Sequence, residues 1–541
     1  MGEQRPLAAL NGFINAGLPA DKRGNGQRHY YSCPDIVTDS FDSRRYLAPA
    51  ADGRPQTEFF EYHWAHLMQG NLLSDLFPTF RRLLLRRPAR VPVGLRGIWL
   101  SCWLLILGVL VAVPFLMPNG WHEVSKWLAG VGGAVLVAAV VTVLASLSRL
   151  LKRQIVSSFA DVVRYLDTSP RSYAMRRSIR QGFVELLTDL HNAKYGKNDR
   201  YDRIIVVAHS LGAYIAYDGI SYLWARKNDA AGEKEPLDPG APDGLQHLED
   251  LAAGLLRTTG PRPDDLHIKD FQQAQNRLWR GLRAQGHPWK ITDFVTCGTP
   301  MYFADVLYTR TPEEFDRRVQ RQELPTCPPQ SEQHTYGEPG TPPRYSYTRH
   351  DRRTVLHDGA PFAVVRWTNL WFAWRPENFG IEGDAFGGPL QPLFGNGIRD
   401  IALRNNGRWA RFPGVAHTRY FKYPDDLSQG SVTSYLRQAL ALDDLQATAT
   451  AEQVAYALSL LAKAGFSTDV VDATYAQLNP PPSTGTPVRV WLRAMPRPAA
   501  HALIAELEML AQRAAPLPQH LADGPGPVSS SDQPRRKEVS G

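Results

Sequence analysis

Two long runs of apolar residues stand out in the first third of the chain. Residues 97–117 and 127–147 contain no ionisable side chain apart from the thiol of Cys102. At about 1.5 Å per residue, a helix formed by either run spans the roughly 30 Å hydrocarbon core of a bilayer. The segment 118–126 between them is long enough only for a tight turn. The pattern predicts a transmembrane hairpin of two helices, and the alternative is a pair of helices buried in a soluble core.

Basic residues lie on the outer sides of this predicted hairpin, whereas its turn has a single lysine set against a glutamate. They are Arg81, Arg82, Arg86, Arg87, Arg90 and Arg96 before the hairpin, and Arg149, Lys152 and Arg153 after it. By the positive-inside rule, both flanks are cytoplasmic. We therefore expect an integral inner (cytoplasmic) membrane protein whose two long flanking segments face the cytoplasm.

The charge of the whole chain agrees with this expectation. Its 541 residues carry a formal net charge of +8. An anionic lipid surface attracts each nearby basic residue by about 1 kcal/mol. No helix-turn-helix, zinc-binding or RNA-binding signature accompanies the charge, so nucleic acid is not an expected partner. The four cysteines lack metal-ligand spacing and there is no glycine-rich phosphate loop, so we expect no metal, cofactor or disulfide framework.

A third apolar pattern, residues 203–218, is typical of a strand that turns abruptly into a helix. Four β-forming residues run into Ala-His-Ser-Leu-Gly, and small apolar residues follow at helical spacing. The serine nucleophile of an α/β-hydrolase stands on such a turn, where the residues two before and two after it must be small so that strand and helix can approach each other. Ala208 and Gly212 meet that requirement, although alanine replaces the usual first glycine. We predict that Ser210 is a nucleophile; the alternative is a serine in an ordinary loop.

The acidic partner of such a serine is expected on a loop further along the chain. In this fold the acid and then the histidine base follow the serine, each after a later strand. Segments 291–300 and 362–374 are the next strand candidates, and the loop after the second contains Glu377, Glu382 and Asp384. A Gly-Gly-Pro turn follows shortly after Asp384, so we prefer this residue to the two glutamates.

His417 is the predicted base, because it lies beyond Asp384 in a short loop, 413–421, that has no helical pattern. The alternative for His417 is a purely structural role. The competing histidines all precede Asp384 in the chain, and one of them is the direct neighbour of Ser210. They are His63, His66, His209, His350 and His357.

These segments together resemble a group of bacterial membrane-associated α/β-hydrolases of lipase or esterase type. In that group a transmembrane hairpin interrupts the hydrolase domain before the nucleophile turn. The matching stretches, spread from residue 2 to about residue 421, are "GEQRPLAALNGF", "FFEYHWAHLMQG", "DVVRYLDTSPRS", "VVAHSLGAYIAYD", "DFVTCGTP", "WTNLW", "GDAFGGPL" and "AHTRYF". The resemblance implies a mostly parallel sheet with flanking helices. It also implies Ser210 as nucleophile, Asp384 as acid and His417 as base.

The start of the chain departs from this group. Such hydrolases usually open with an apolar strand that ends in a phrase of the form His-Gly-x-Gly-Glu-Gln-Arg-Pro, and the loop after it supplies an oxyanion-hole N–H. Here the chain begins Met-Gly-Glu-Gln-Arg-Pro, so Gly2 is the candidate for that donor beside the backbone N–H of Leu211. Either the start codon is assigned too late or the protein lacks that strand. Loss of one oxyanion donor costs about a hundredfold or more in turnover.

The predicted domain organisation follows from these assignments and from composition. Polar, Gly- and Pro-rich insertions within the main domain are surface loops or a lid over the site. Two amphipathic helical patterns form a small C-terminal appendage, and a disordered tail follows. The segments are 1–96 (N-terminal part of the hydrolase domain), 97–147 (hairpin), 148–449 (main domain, with insertions at 227–265 and 311–360), 450–515 (appendage) and 516–541 (tail).

The function expected from the sequence is a membrane-anchored serine hydrolase that cleaves acyl esters of lipid-like character. A protein deacylase or peptidase with the same triad is an alternative within enzymes. A catalytically silent membrane scaffold that keeps the fold is the alternative from another class.

The charge pattern predicts that both termini and Ser210 face the cytoplasm, while only residues near 118–126 reach the other side. Alkaline phosphatase fused after Gly541 should therefore be inactive in cells, and a fluorescent protein at the same position should fluoresce. An active phosphatase fusion would show that the hairpin is inverted or that one run does not cross.

Overall fold

The structure is a computed structural model that describes most of the chain between residues 8 and 514. The described ranges are 8–20, 29–38, 44–51, 54–68, 81, 84–116, 157–167, 169–232, 241–256, 264–309, 311–332, 344–349, 354–374, 382–404, 413–442, 449–478 and 481–514. Gly2, the second apolar run (127–147) and the predicted tail (516–541) lie outside these ranges. The chain divides into two compact units, Met1–Ala447 and Thr448–Gly541.

The strands of the described residues all lie in the first unit. In chain order they are β1 (Tyr31–Pro34), β2 (Arg44–Ala48), β3 (Thr57–Phe59), β4 (Lys194–Tyr195), β5 (Asn198–Asp199), β6 (Ile204–His209), β7 (Ile291–Cys297), β8 (Ser346–Thr348), β9 (Thr354–Leu356), β10 (Arg366–Phe372) and β11 (Arg399–Leu403).

The α-helices of the first unit alternate with these strands. They are α1 (Ala8–Gly17), α2 (Arg96–Leu116), α3 (Ser157–Leu166), α4 (Pro170–Asn192), α5 (Gly212–Gly232), α6 (Leu245–Leu256), α7 (Asp265–Ala284), α8 (Ala304–Tyr308), α9 (Pro312–Gln320), α10 (Gln391–Phe394), α11 (Pro413–Ala416) and α12 (Val432–Leu440).

A parallel sheet of four strands, in the order β11-β10-β7-β6, organises the first unit. Val206 of β6 lies opposite Phe294 of β7, and Phe294 lies opposite Trp367 of β10. On the other side of β10, Leu370 lies opposite Ile401 of β11. The predicted α/β class with a parallel sheet is confirmed. Because all four strands run the same way, the loops that follow them meet at one edge of the sheet.

Helices cover both faces of this sheet. On one face Phe294 and Trp367 stack with Phe362, the rings of Phe362 and Trp367 being 4.7 Å apart, and α5 and α7 pack over this cluster. On the other face Cys297 packs beside Ala16 of α1 and residues of α12. All seven residues of β7 are buried. A continuous buried run of this kind is typical of a parallel strand covered on both sides.

The first of the two long apolar runs forms helix α2 (Arg96–Leu116). Nowhere in the described ranges does a helix combine the length and apolarity needed to cross a membrane. An antiparallel sheet, β1-β2-β3, precedes α2 in the chain.

The two predicted insertions differ from plain surface loops. The first includes helix α6, whose Leu248 and Ala252 are fully buried in the main core. The second includes helix α9 and the antiparallel pair β8-β9. Phe315 of α9 is also buried. These segments therefore contribute to the core instead of only covering it.

The second unit has its own helices and its own core. They are α13 (Ala451–Lys463), α14 (Val488–Ala494) and α15 (Arg497–Ala514). Leu461 of α13, Leu492 of α14 and Leu507 of α15 are buried in one cluster. Thr450 begins α13 with a capping box, in which its side chain and that of Gln453 each accept from the other's backbone N–H. The two amphipathic patterns correspond to α13 and α15, whereas the short α14 was not predicted.

Candidate active site

Ser210 directly follows β6, in a backbone conformation that residues other than glycine rarely adopt. Its φ is +57°, in the left-handed region, where a non-glycine residue is strained. Its N–H donates to the Cys297 carbonyl at 3.0 Å, and its own carbonyl accepts from Ala213 at 3.1 Å. The end of β7 and the first turn of α5 thus hold the strained residue in place.

The small residues beside Ser210 have different surroundings. Ala208 is buried on the α5 face of the sheet. A Cβ added at Gly212 would meet no described atom within 4 Å. Steric crowding between strand and helix, the reason given above for a small residue, therefore does not explain Gly212. Among the described residues, none occupies the space that a side chain at Gly212 would fill.

His417 lies on the turn that follows α11 and connects the other two predicted residues. Its Nε2 is 2.9 Å from the Ser210 Oγ. Its Nδ1 is 3.0 Å from each carboxylate oxygen of Asp384. Because a carboxylate only accepts hydrogen bonds, Nδ1 carries the proton and donates it, and Nε2 is free to accept from the Ser210 hydroxyl. The structure thus brings the three predicted residues into one hydrogen-bonded row.

Asp384 has no exposed surface, and several donors compensate for its burial. Besides His417, the backbone N–H of Phe386 donates to Oδ1 at 2.9 Å and the Tyr420 hydroxyl donates to Oδ2 at 2.8 Å. The backbone N–H of Asp384 donates to the Phe372 carbonyl at 3.2 Å, which attaches the loop to the end of β10. A buried carboxylate is tolerated only with such a full set of donors.

Two aromatic side chains hold the loop around this carboxylate. The indole N–H of Trp374 donates to the carbonyls of Asp384 and Gly387, at 3.1 and 2.8 Å. The Tyr302 hydroxyl donates to the Ala385 carbonyl at 2.8 Å. The position of the carboxylate is therefore fixed through its main chain as well as through its side chain.

Among the described residues, Asp384 and His417 occupy the acid and base positions of this row, and His209 contacts His417 through its ring and its main-chain carbonyl. Glu377 and His350 lie outside the described residues. Glu382 is described, but the contact to His417 is made by Asp384. His357 bonds the Gln330 carbonyl at 2.9 Å, on another part of the fold.

Sequence reasoning missed Tyr420 as a partner of the acid. Its hydroxyl donates to Asp384 and accepts from the Phe372 N–H at 3.2 Å. Burial, and then the nearby Asp384 charge, raise the pKa of Tyr420 well above its usual value, so the phenol stays protonated. The only signal in the sequence is its place three residues after His417, and no periodic pattern marks it.

The backbone N–H of Leu211 is the predicted oxyanion donor that the structure describes. Within the described residues it donates no hydrogen bond, and it lies at the start of α5, where the helix dipole favours negative charge. The second predicted donor, Gly2, lies outside the described residues. Among the same described residues, no group of three or more potential metal ligands is found.

The chain matches no protein-family model, no curated protein and no solved structure. Its chemistry is therefore inferred from the geometry of Ser210, His417 and Asp384. A buried acid, an oriented imidazole and a hydroxyl within hydrogen-bonding distance form the arrangement that activates a serine for attack on an electrophile.

Replacement of the Tyr420 hydroxyl should slow the reaction of Ser210 with a fluorophosphonate probe. Tyr420→Phe removes a hydrogen bond to a buried carboxylate, and we expect labelling to be about tenfold slower. Tyr423→Phe, an exposed tyrosine on the same segment, is the matched control and should label at the wild-type rate. A Tyr420→Phe protein that labels as fast as wild type would show that the hydroxyl does not support the acid.

Proposed function

We propose that the chain is a serine hydrolase of α/β-hydrolase fold that cleaves acyl esters with Ser210, His417 and Asp384. The observation that carries the proposal is the unbroken hydrogen-bonded row from the Ser210 Oγ through His417 to Asp384. The left-handed φ of Ser210 supports it, because a strained strand-to-helix turn is the geometry that presents the nucleophile in this fold.

The order of the elements also supports this fold. Ser210 follows β6, Asp384 follows β10 and His417 follows β11, and these strands are parallel neighbours or near neighbours in one sheet. Residues at the carboxyl ends of parallel strands meet at one sheet edge, whatever their separation in sequence. The serine-acid-histidine order is that of the α/β-hydrolases.

In the first half of the proposed reaction, the Ser210 oxygen attacks the carbonyl carbon of the ester. His417 Nε2 takes the hydroxyl proton as the new C–O bond forms, and Asp384 stabilises the resulting imidazolium. The carbonyl oxygen becomes an oxyanion that the N–H of Leu211 can bind. When the tetrahedral intermediate collapses, the C–O bond to the alcohol breaks and His417 returns the proton to the leaving oxygen.

The second half repeats these steps with water. His417 Nε2 takes a proton from a water molecule, whose oxygen attacks the acyl carbon bound to Ser210. Collapse of this intermediate breaks the bond to the Ser210 oxygen, which recovers its proton from His417. A carboxylic acid is released, and the row returns to its starting state.

The lipid-like character of the proposed substrate is supported by the surroundings of the acid loop. Val91 and Leu95, just before α2, pack in one buried cluster with Phe386. The Phe386 ring lies 5.1 Å from the His417 ring. A buried apolar cluster thus connects the base of α2 with the imidazole, an arrangement that would bring the proposed site close to lipid if α2 is an anchor.

The outward surface of α2 supports a membrane anchor. Leu104 is 53% exposed and Leu107 is 58% exposed, with Leu100 and Trp103 on the same side of the helix. An apolar helix face of this kind is typical of a contact with lipid. We propose that α2 and the apolar run after it anchor the protein in the cytoplasmic membrane, with the arginine-rich flank against anionic lipid headgroups.

Loss of the proposed nucleophile should abolish the activity. The Ser210→Ala protein should neither react with a fluorophosphonate probe nor hydrolyse p-nitrophenyl esters, and its thermal stability should stay close to that of wild type. The reason is that the Ser210 side chain forms the reacting bond, and the described hydrogen bond of its hydroxyl is to His417.

Other results would favour the alternatives. Undiminished hydrolysis by purified Ser210→Ala would remove Ser210 from the reaction. Probe labelling of wild type together with cleavage of peptide bonds or protein acyl groups, but not of esters, would favour a deacylase or peptidase. A wild-type protein that neither labels nor hydrolyses esters would favour a silent scaffold.

The exposed face of α2 should matter for substrates in a membrane but not for soluble ones. Replacing Leu104 and Leu107 together by serine removes apolar surface that favours contact with lipid. We expect hydrolysis of a long-chain ester in anionic vesicles to fall severalfold, and that of p-nitrophenyl acetate in solution to stay unchanged. Equal losses with both substrates would indicate a folding defect, and no loss with either would contradict this role of α2.

A further inference from the structure

His209, the residue before the nucleophile, lies against the proposed base. Its side chain is on the α1 and α12 side of the sheet, like those of Ile205 and Val207, because alternate residues of a strand share a face. The His209 and His417 rings are 4.8 Å apart, and their planes meet at 34°. Tyr420 completes this contact, with its ring 5.5 Å from that of His209.

One hydrogen bond fixes the chemical form of this imidazole. The Nε2 of His209 lies 2.8 Å from the backbone carbonyl oxygen of His417. Since a carbonyl oxygen only accepts, the proton of neutral His209 is on Nε2. Burial, and then the neighbouring His417, lower the pKa of His209 to about 4, so the ring is neutral near pH 7.

The carbonyl that accepts the hydrogen bond from His209 is the main-chain carbonyl of His417, the proposed base. A fixed carbonyl sets the direction in which the His417 side chain leaves the backbone, and the ring must then reach Ser210 and Asp384 at the same time. Three residues later, the Tyr420 hydroxyl holds the segment again through Asp384 and β10. The turn that bears the base is therefore attached to the sheet at His417 itself and again three residues later.

We propose that His209 is a positioning residue: its Nε2–H holds the main chain of His417, so that the imidazole stays aligned between Ser210 and Asp384. This inference rests on the hydrolase function proposed above. A neutral ring is required for the role, because a cation at this position would oppose the positive charge that His417 gains during the reaction. Asp384 is the nearby anion on the other side of His417, and it is already engaged with that ring.

Two substitutions with side chains of similar length distinguish the effect of the hydrogen bond from the effect of the packing of the ring. The amide nitrogen of His209→Gln lies about as far from Cα as Nε2 and can donate to the same carbonyl. His209→Met fills similar space without a donor. For ester hydrolysis by the full chain, we expect His209→Met to lower kcat about five- to tenfold with KM within about twofold of wild type. His209→Gln should keep kcat within about threefold of wild type.

The results distinguish this inference from the proposed function. If wild type hydrolyses esters and His209→Met keeps the full kcat, the positioning role is overturned while the hydrolase function stands. If His209→Gln loses as much kcat as His209→Met, the ring and not the hydrogen bond is what matters, and the proposal is again wrong. If wild type neither labels nor hydrolyses, the function fails and this inference fails with it.

A measurement on the unaltered chain keeps the proposal testable if His209→Met does not fold. NMR spectra of the full chain labelled with ¹⁵N-histidine show one signal set for each histidine ring. The set that is absent from the spectrum of His209→Gln belongs to His209. We expect a neutral ring protonated at Nε2 between pH 5 and pH 8. A proton on Nδ1, or a titration midpoint near the ordinary histidine value of about 6.5, would overturn the proposal.

Discussion

A carboxylate without exposed surface lies at the carboxyl end of β10, and the surrounding structure is arranged to accommodate it. Removing such a charge from water costs several kcal/mol unless donors replace the lost solvation. At Asp384 these donors come from the backbone of its own loop, from His417 and from Tyr420. The last two belong to one short segment after β11, so the burial of one side chain draws that segment onto the sheet edge. The orientation of His417 toward Ser210 follows from this arrangement.

The strain at Ser210 depends on the same sheet. A left-handed serine is less stable than an extended one by about 1–3 kcal/mol, and it persists only where neighbours fix it. Here the Cys297 carbonyl at the end of β7 binds the Ser210 N–H, and α5 starts directly afterwards. The burial of β7 on both faces keeps that carbonyl in place. The buried strand β7 thus stabilises the strained backbone conformation of Ser210 at the end of the neighbouring strand β6.

Strands β6, β7 and β10 could be predicted because each is rich in β-branched or aromatic residues, and the serine-acid-histidine order then located Ser210, Asp384 and His417. Contacts between loops carry no such pattern. Tyr420 reaches Asp384 across 36 positions in sequence, and His209 reaches the His417 carbonyl across 208. Helix α6 was not predicted, although its leucines have helical spacing, because the Gly- and Pro-rich segments around it are typical of a loop. The reason for a small residue at 212 was wrong, because crowding there was inferred from the motif and not from neighbouring atoms.

Gly298 shows how narrowly this part of the chain can vary in evolution. It follows β7 with a φ of +54°, and a methyl group added there would lie 2.5 Å from the Asp384 Oδ2 and 2.6 Å from the Tyr420 ring. At Gly387 the same addition would come within 2.9 Å of that oxygen. A larger residue at either position would therefore have to displace the Asp384 carboxylate and the buried Tyr420 side chain. Under the hydrolase function proposed above, such a change alters the geometry of the acid, so a homologue that carries a larger residue at either position is expected to catalyse the reaction more slowly or not at all.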